Sequence, residues 1–272
     1  DLDLCVYSDE GCDPNGLERL LHCLQDLTLP PRTVVREVSA DDIIAGALSK
    51  DVGLLVVPGG ADLHYIRRLG SEGTGAIRQF VQAGGAYLGV CAGAYFGSSF
   101  CDFERGASLE VLGPRELALF PGSAVGSAFG YSYDSLKYAT AAPLDLSPAV
   151  AAAAGIQAAP AGEGGDGGAV HAYVNGGCWF DGVTSEEVVA RYAHDPECSG
   201  CEGKPAIIAG CHGAGRWVLS GPHIEYDPSQ LWSSEFHDAL RPRLVAANPS
   251  RKALLRHLLM YLLRHRGTLS CL

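Results

Sequence analysis

No stretch of this sequence stays apolar over the roughly 18 to 20 residues that a membrane-spanning helix needs. The leucine-rich run from Ala253 to Leu263 is broken by charge at helical spacing, the pattern of an amphipathic helix docked on a core. A membrane is therefore not an expected partner. Basic residues are scarce as well, with 20 Lys and Arg against 31 Asp and Glu for a formal net charge of −11. Phosphate-backbone binding relies on a concentrated basic stripe, and none is present, so nucleic acid is not an expected partner either. Internal repeats are absent. Cys198-Ser199-Gly200-Cys201 is the single zinc-like spacing, with His194, Cys211 and His212 near it, but no convincing second ligand pair accompanies it. Cys198 and Cys201 thus form only a weak metal candidate, with a labile hairpin disulfide or two free thiols as the alternatives. No cofactor is expected.

The ten cysteines are spread over predicted strands, helices and loops, unlike the dense framework of a small secreted scaffold, which points to a reducing compartment. Because the sequence opens on Asp1 and not Met, a leader or a larger N-terminal region is expected to have preceded it, so any targeting information is not visible here. The expected setting is intracellular and soluble, in the cytoplasm or an organelle.

At 272 residues and 47% apolar content, the chain can bury a full core, and residues 1–272 are expected to form a single α/β domain. Leu2 to Tyr7 alternates as a strand, and Asp13-Pro14 is an N-cap with proline in the first helical turn, followed by Leu17, Leu20, Leu21 and Leu24 on one face. Thr33 to Val38 is a second strand, Ser39-Ala40-Asp41-Asp42 starts a short helix, and Val52 to Val57 is a third strand. A helix over Gly75 to Ala83, a strand over Ala86 to Val90 and a helix from Ala92 follow. This β-α-β-α order implies an open, mostly parallel sheet with helices on both faces, joined to a β-rich C-terminal half. Residues 143–169, rich in Ala, Gly and Pro, are expected to be a flexible excursion. Val170 to Val174, Glu187 to Tyr192, Ala206 to Ala209 and Trp217 to Leu219 then read as strands, with Cys198 to Lys204 at a hairpin tip. Asn248-Pro249-Ser250 reads as the start of the last helix.

Gly89-Val90-Cys91-Ala92-Gly93 joins a buried strand to a helix of small residues, and Gly221-Pro222-His223-Ile224-Glu225 follows the last predicted strand. A thiol on a strand-to-helix elbow, paired with a histidine two residues from a carboxylate, supplies the parts of a Cys-His-Glu nucleophile. Helix-terminal amides and a neighbouring imidazole both favour the thiolate, which is the attacking form. On an extended strand His223 and Glu225 would point to one face, so the carboxylate could hold the ring. Leu54 to Val57 runs into Pro58-Gly59-Gly60, a Gly-rich loop at the strand end where open α/β sheets build their sites. Backbone N–H groups of Gly59 or Gly60 and of Ala92 are the candidate oxyanion donors.

These residues resemble the class I glutamine amidotransferase-like superfamily, whose fold is flavodoxin-like. Gly89 to Ser98, Arg115-Glu116-Leu117 with Phe120-Pro121-Gly122, and Tyr173-Val174-Asn175-Gly176-Gly177-Cys178-Trp179-Phe180 resemble, more narrowly, the amidotransferase-like N-terminal domain of eukaryotic-type biotin protein ligases. The resemblance runs from near residue 2 to about residue 265. It implies Cys91 as nucleophile, His223 as base and Glu225 as its orienting acid, with Gly59, Gly60 and Ala92 at the oxyanion positions. Asp62, Tyr65, Tyr95, Arg115, Glu116, Tyr173 and Asn175 fall in the matching blocks and are candidate pocket residues. Arg115 is either a carboxylate ligand or a structural ion pair with its neighbour Glu116. Two departures stand out. Tyr95 occupies the position four after the cysteine where many glutamine-using members carry Gln, and Ile224 replaces the usual Pro between His and Glu. No Gly-Arg-Gly-Arg adenylate segment is present, and Gly213-Ala214-Gly215-Arg216-Trp217 reads as a turn entering a strand, so biotinylation is not expected of this chain.

Two functional readings follow. One is an enzyme whose thiolate attacks an amide or related acyl carbon of a small molecule. The other is a non-catalytic binding or regulatory module with a protein partner. A third, a stress-protein-like cysteine hydrolase of a related fold, would need an early acid such as Glu10 or Glu18 beside the thiol, and the late His-x-Glu fits it less well.

Overall fold

The computed structural model describes residues 3–27, 33–132, 136–157, 170–184, 187–195, 200–231 and 233–263. Its first half alternates strand and helix: β1 (Asp3–Tyr7), α1 (Pro14–Asp26), β2 (Val35–Val38), α2 (Ala40–Ile44), β3 (Val52–Val57), α3 (Asp62–Gln82), β4 (Ala86–Val90) and α4 (Ala92–Gly97). Local sequence explains the helix starts. Asp13 accepts from the Gly16 N–H ahead of Pro14, and Ser39 and Asp42 form a reciprocal capping box. The second half is strand-rich: β5 (Ser98–Phe103), β6 (Val111–Pro114), β7 (Phe120–Gly126), β8 (Thr140–Leu146), α5 (Pro148–Ala154), β9 (Val170–Val174), β10 (Cys178–Asp181), β11 (Val188–Tyr192), β12 (Pro205–His212), β13 (Gly215–Ser220) and α6 (Glu235–Leu262).

Nine strands form one sheet in the order β2-β1-β3-β4-β13-β12-β11-β8-β9. The pairs from β2 to β13 are parallel and the rest antiparallel, and the last strand in chain order, β13, lies beside β4 with Ser220 opposite Val90. A second sheet, β10-β7-β5-β6, packs alongside. Strand periodicity divides the core into two faces. Leu4, Val6, Leu54, Val56, Leu88 and Val90 meet α1, α5 and α6, whereas Cys5, Tyr7, Leu55, Val57 and Tyr87 meet α2, α3 and α4. Among the described residues, no helix is long and apolar enough to cross a membrane.

Three elements differ from the sequence reading. Helix α3 starts at Asp62, well before Gly75, and bends at Gly70, whose φ of 56° breaks the helical path and splits the apolar pattern. Helix α6 starts at Glu235 behind the Ser234 cap and carries Pro242 and Pro249 inside it. Interior prolines cost about 3 kcal/mol each, but burying a leucine is worth roughly 1.5 to 3 kcal/mol. Leu244, Leu254, Leu255, Leu258 and Leu259 are all buried, so packing outweighs the two prolines. Residues 143–169 are not all an excursion. Pro143 and Leu144 pair with His171 and Val170 inside the main sheet, and α5 packs on α6. Residues 158–169 of that tract lie outside the described residues.

Candidate active site

Four parallel strands, β1, β3, β4 and β13, end side by side, and the strand order reverses at β1 between its partners β2 and β3. Such a switch point opens a crevice beyond the carboxyl ends of the strands. A cavity of about 480 Å³ lies there, lined by Asp13 after β1, Gly59 and Gly60 after β3, Cys91 after β4 and His223 after β13.

Cys91 is the residue between β4 and α4, with φ 51° and ψ −109°, a conformation rarely adopted by a side-chain-bearing residue. Neighbouring backbone over-determines it. Its N–H donates to Ser220 O at 2.8 Å, and its carbonyl accepts from Ala94 and Tyr95 at 2.9 and 3.1 Å. The turn can close because Gly93 lies against β3, where a Cβ would fall 2.1 Å from Val57 O. The thiol is 7% exposed and borders the cavity. Helix α4 is only six residues long, so its dipole is weak.

His223 does not sit on an extended strand. It follows β13 in a turn and is fastened by an isolated bridge to Tyr173, whose carbonyl accepts its N–H at 2.7 Å. The turn still brings Glu225 Oε1 to 2.7 Å from His223 Nδ1. A carboxylate only accepts, so the Nδ1 proton points at Glu225 and Nε2 is left for the cavity side. There Gly59 leaves the necessary room, since a Cβ on it would lie 2.7 Å from His223 Cε1 and 3.4 Å from Cys91 Cβ. Burial disfavours the charged ring, but the Glu225 carboxylate, then the charge and hydrogen bonding of Cys91, outweigh it and push the His223 pKa up to about 10. Glu225 is buried, and its Oε2 has no hydrogen-bond partner among the described residues.

The remaining candidates divide. Gly60 and Ala92 both line the cavity, and their amides donate to no backbone group in the turns and loops among the described residues. Tyr95, Tyr173, Asn175 and Asp62 line the cavity. Tyr95 donates its hydroxyl to Gly176 O at 3.1 Å, and the Asn175 carbonyl lies 4.0 Å from Cys91 Sγ. Tyr65 is buried behind the Gly-rich loop, its hydroxyl donating to Pro58 O and Gly59 O, so it supports that loop from outside the cavity. Arg115 is a structural ion-pair partner, though not of Glu116. Its Nε meets Asp62 Oδ2 at 2.6 Å, while Glu116 points to solvent and accepts from Ser71. Glu10 pairs with His64 and Arg67, Glu18 is exposed on α1, and neither lines the cavity. Cys198 lies outside the described residues. Cys201 is buried and hydrogen-bonded to Ala128 O at 2.7 Å, and no group of three metal-binding side chains occurs among the described residues.

Several contributors were not singled out from the sequence. Tyr226 packs against His223 with ring centroids 4.3 Å apart and stacks on Tyr173, whose hydroxyl meets the buried His237 of α6 at 3.1 Å. Arg251 of α6, almost fully buried, donates to Ile224 O at 2.5 Å and to Asn248 Oδ1, clamping the turn between His223 and Glu225. Arg19 of α1 lines the cavity. Only the position of Tyr226 directly after Glu225 offered a local signal.

The sheet order and strand-end crevice define a mixed α/β fold shared with a ThuA-like protein from Bacteroides uniformis, at a TM-score of 0.56 and 10% identity over 98% of this chain and 93% of that one. A family model for the N-terminal part of biotin-protein ligase matches residues 2–266, and the chain belongs to that family. It is 36% identical to an uncharacterized protein of Chlamydia muridarum over 83% of this chain and 81% of that protein. It is 34% identical to a biotin--protein ligase of Schizosaccharomyces pombe over 83% of this chain, a match that spans 33% of the ligase.

Proposed function

We propose that this domain is a cysteine-nucleophile amidotransferase or amide hydrolase. Cys91 Sγ, as thiolate, attacks the carbonyl carbon of a small-molecule amide or related acyl compound. The carbonyl electrons move to oxygen, where the Gly60 and Ala92 amides receive the oxyanion. His223, charged and held by Glu225, gives its proton to the leaving amine as the C–N bond breaks, leaving a thioester on Cys91. His223 then takes a proton from water, whose oxygen attacks the thioester carbon and expels the Cys91 thiolate, releasing the acid and restoring the thiolate–imidazolium pair. The observation that carries this reading is the 2.7 Å contact of a buried carboxylate with His223, in a crevice that also exposes a strained cysteine. No biotin ligase activity is assigned to the chain.

A second reading is a non-catalytic regulatory or binding module of the biotin protein ligase N-terminal type. Tyr95 favours it, because the ring fills the position of an amide-bearing side chain and its hydroxyl is already spent on Gly176 O. One hydroxyl in place of an amide leaves a buried polar substrate short of pairing by roughly 1 to 3 kcal/mol, or about 5- to 150-fold. Free glutamine is accordingly expected to be hydrolysed poorly. The test combines mass spectrometry of the Cys91 peptide after exposure to a panel of amides with ammonia release from glutamine by wild type, Cys91→Ala and Tyr95→Gln. An acyl adduct on Cys91 that disappears in His223→Ala supports the enzyme. No adduct with any amide sinks it in favour of the module, and robust Cys91-dependent glutamine turnover refutes the argument from Tyr95.

A further inference from the structure

The cavity is larger than the attack on one carbonyl requires. At about 480 Å³ it falls within the roughly 300 to 1,000 Å³ of pockets that hold drug-sized ligands, so an amide filling only the corner between Cys91 and His223 would leave most of it to water. The space beyond that corner is walled by the second sheet. Cys101 and Phe103, two apart on β5, share one face of that strand, Val111 of β6 stands opposite Phe103, and all three line the cavity. Tyr95, one turn beyond Cys91 on α4, meets Phe103 edge to face with ring centroids 5.7 Å apart, and Phe103 meets the Tyr131 ring at 5.6 Å. The polar atoms of Tyr95 and Cys101 are engaged. The Tyr95 hydroxyl donates to Gly176 O, and the Cys101 thiol, pushed up to about 12 by burial and then by the Asp62 charge, donates to Val111 O at 3.5 Å. Asp62 itself is paired with Arg115 at 2.6 Å. A row of rings that starts one helical turn from a nucleophile has little to offer a charged group, whereas another ring gains edge-to-face contact beyond the area it buries.

We propose that the Cys91 cavity takes an aromatic ligand, an amide or related acyl compound whose ring seats against Phe103 and Val111 while its carbonyl reaches Cys91. The proposal rests on the nucleophile reading only in taking Cys91 as the reacting group. Tyr95 then has a positive role, as the ring on which the aromatic seat begins.

Three neutral alkylating reagents test this on the intact chain: 2-chloroacetamide, its N-cyclohexylmethyl derivative and its N-benzyl derivative. Rates are read by peptide mass at Cys91 and at the exposed Cys211, which reports the intrinsic reactivity of each reagent. The benzyl-to-parent rate ratio at Cys91 should exceed that at Cys211 by about tenfold, and the cyclohexylmethyl ratio by no more than about threefold. Phe103→Ala should bring the benzyl ratio down close to the Cys211 value, and Phe103→Leu should lower it toward the cyclohexylmethyl one. If neither variant folds, the three reagents on wild type decide. Equal ratios at the two cysteines, a cyclohexylmethyl ratio that matches the benzyl one, or a benzyl ratio indifferent to Phe103→Ala would overturn the proposal. A high benzyl ratio with Cys91 no faster than Cys211 toward 2-chloroacetamide would leave the aromatic seat standing while removing the activated nucleophile. Should Cys91 react with none of the three, saturation-transfer NMR with phenylacetamide decides: transfer to its ring protons that weakens in Phe103→Ala supports the seat, and no transfer overturns it.

Discussion

Changing Glu225 to glutamine keeps the side-chain volume and an oxygen for the Nδ1 proton while removing the charge. In the native site burial favours a neutral His223, and the carboxylate at 2.7 Å, with Cys91 beyond it, favours the charged ring strongly enough to hold the pKa at about 10 against an ordinary 6.5. At about 1.4 kcal/mol per pH unit, the preference for imidazolium has a ceiling of roughly 5 kcal/mol. Without the carboxylate, burial dominates that side of the ring, and a buried histidine titrates low. The His223 pKa in Glu225→Gln should therefore fall below about 7. A folded-state pKa raised above the unfolded one stabilises fully below pH 6.5, and that contribution is lost as pH rises toward 10. The stability advantage of wild type over the variant should thus be largest near pH 6 and shrink steadily toward pH 10. Ring-proton NMR titration of His223, with denaturant melts across that range, measures both. A His223 still charged above pH 9 in the variant, or a stability gap that does not change with pH, would refute the reasoning.

Cys91 should react with iodoacetamide near neutral pH faster than the exposed Cys211, and His223→Ala should slow it about tenfold by removing the partner of the thiolate. Cys201 is a poor comparison, because burial pushes its thiol up to about 11. Gly59→Ala sets a methyl 2.7 Å from His223 Cε1 and should cut Cys91 labelling severalfold while lowering stability by only about 1 to 3 kcal/mol, as read by labelling rate beside thermal melts. Arg251→Met strips the Ile224 carbonyl and Asn248 of a buried charged partner, so the unfolding free energy should drop by about 3 kcal/mol or more, and an unchanged midpoint in urea would argue against the clamp.

The parallel half of the fold was legible because its strands are short apolar runs closed by turn residues, so β1, β3 and β4 fall within the expected limits. Helices crossed by breakers were not: Gly70, Gly73 and Gly75 hid the first half of α3, and Pro249 looked like the start of α6 because only tertiary packing tells an interior proline from a first-turn one. In the site, the parts written as contiguous motifs, Cys91 between glycines and His223 with Glu225, could be read directly. Parts that depend on distant elements could not. Arg115 is bonded to Asp62, far from it in sequence, instead of to its neighbour Glu116, and Arg19 and Arg251 reach the site from helices at opposite ends of the chain.

The backbone of Cys91 also sets stability against chemistry at a single residue. A side-chain-bearing residue held at φ 51° and ψ −109° carries strain of about 1 to 3 kcal/mol, which glycine would largely relieve. Drift toward a sturdier fold would therefore favour glycine at position 91, and a lineage that used the domain only as scaffolding would have an energetic incentive to abandon the thiol. Wherever the cysteine persists on this turn, some demand other than folding is keeping it there.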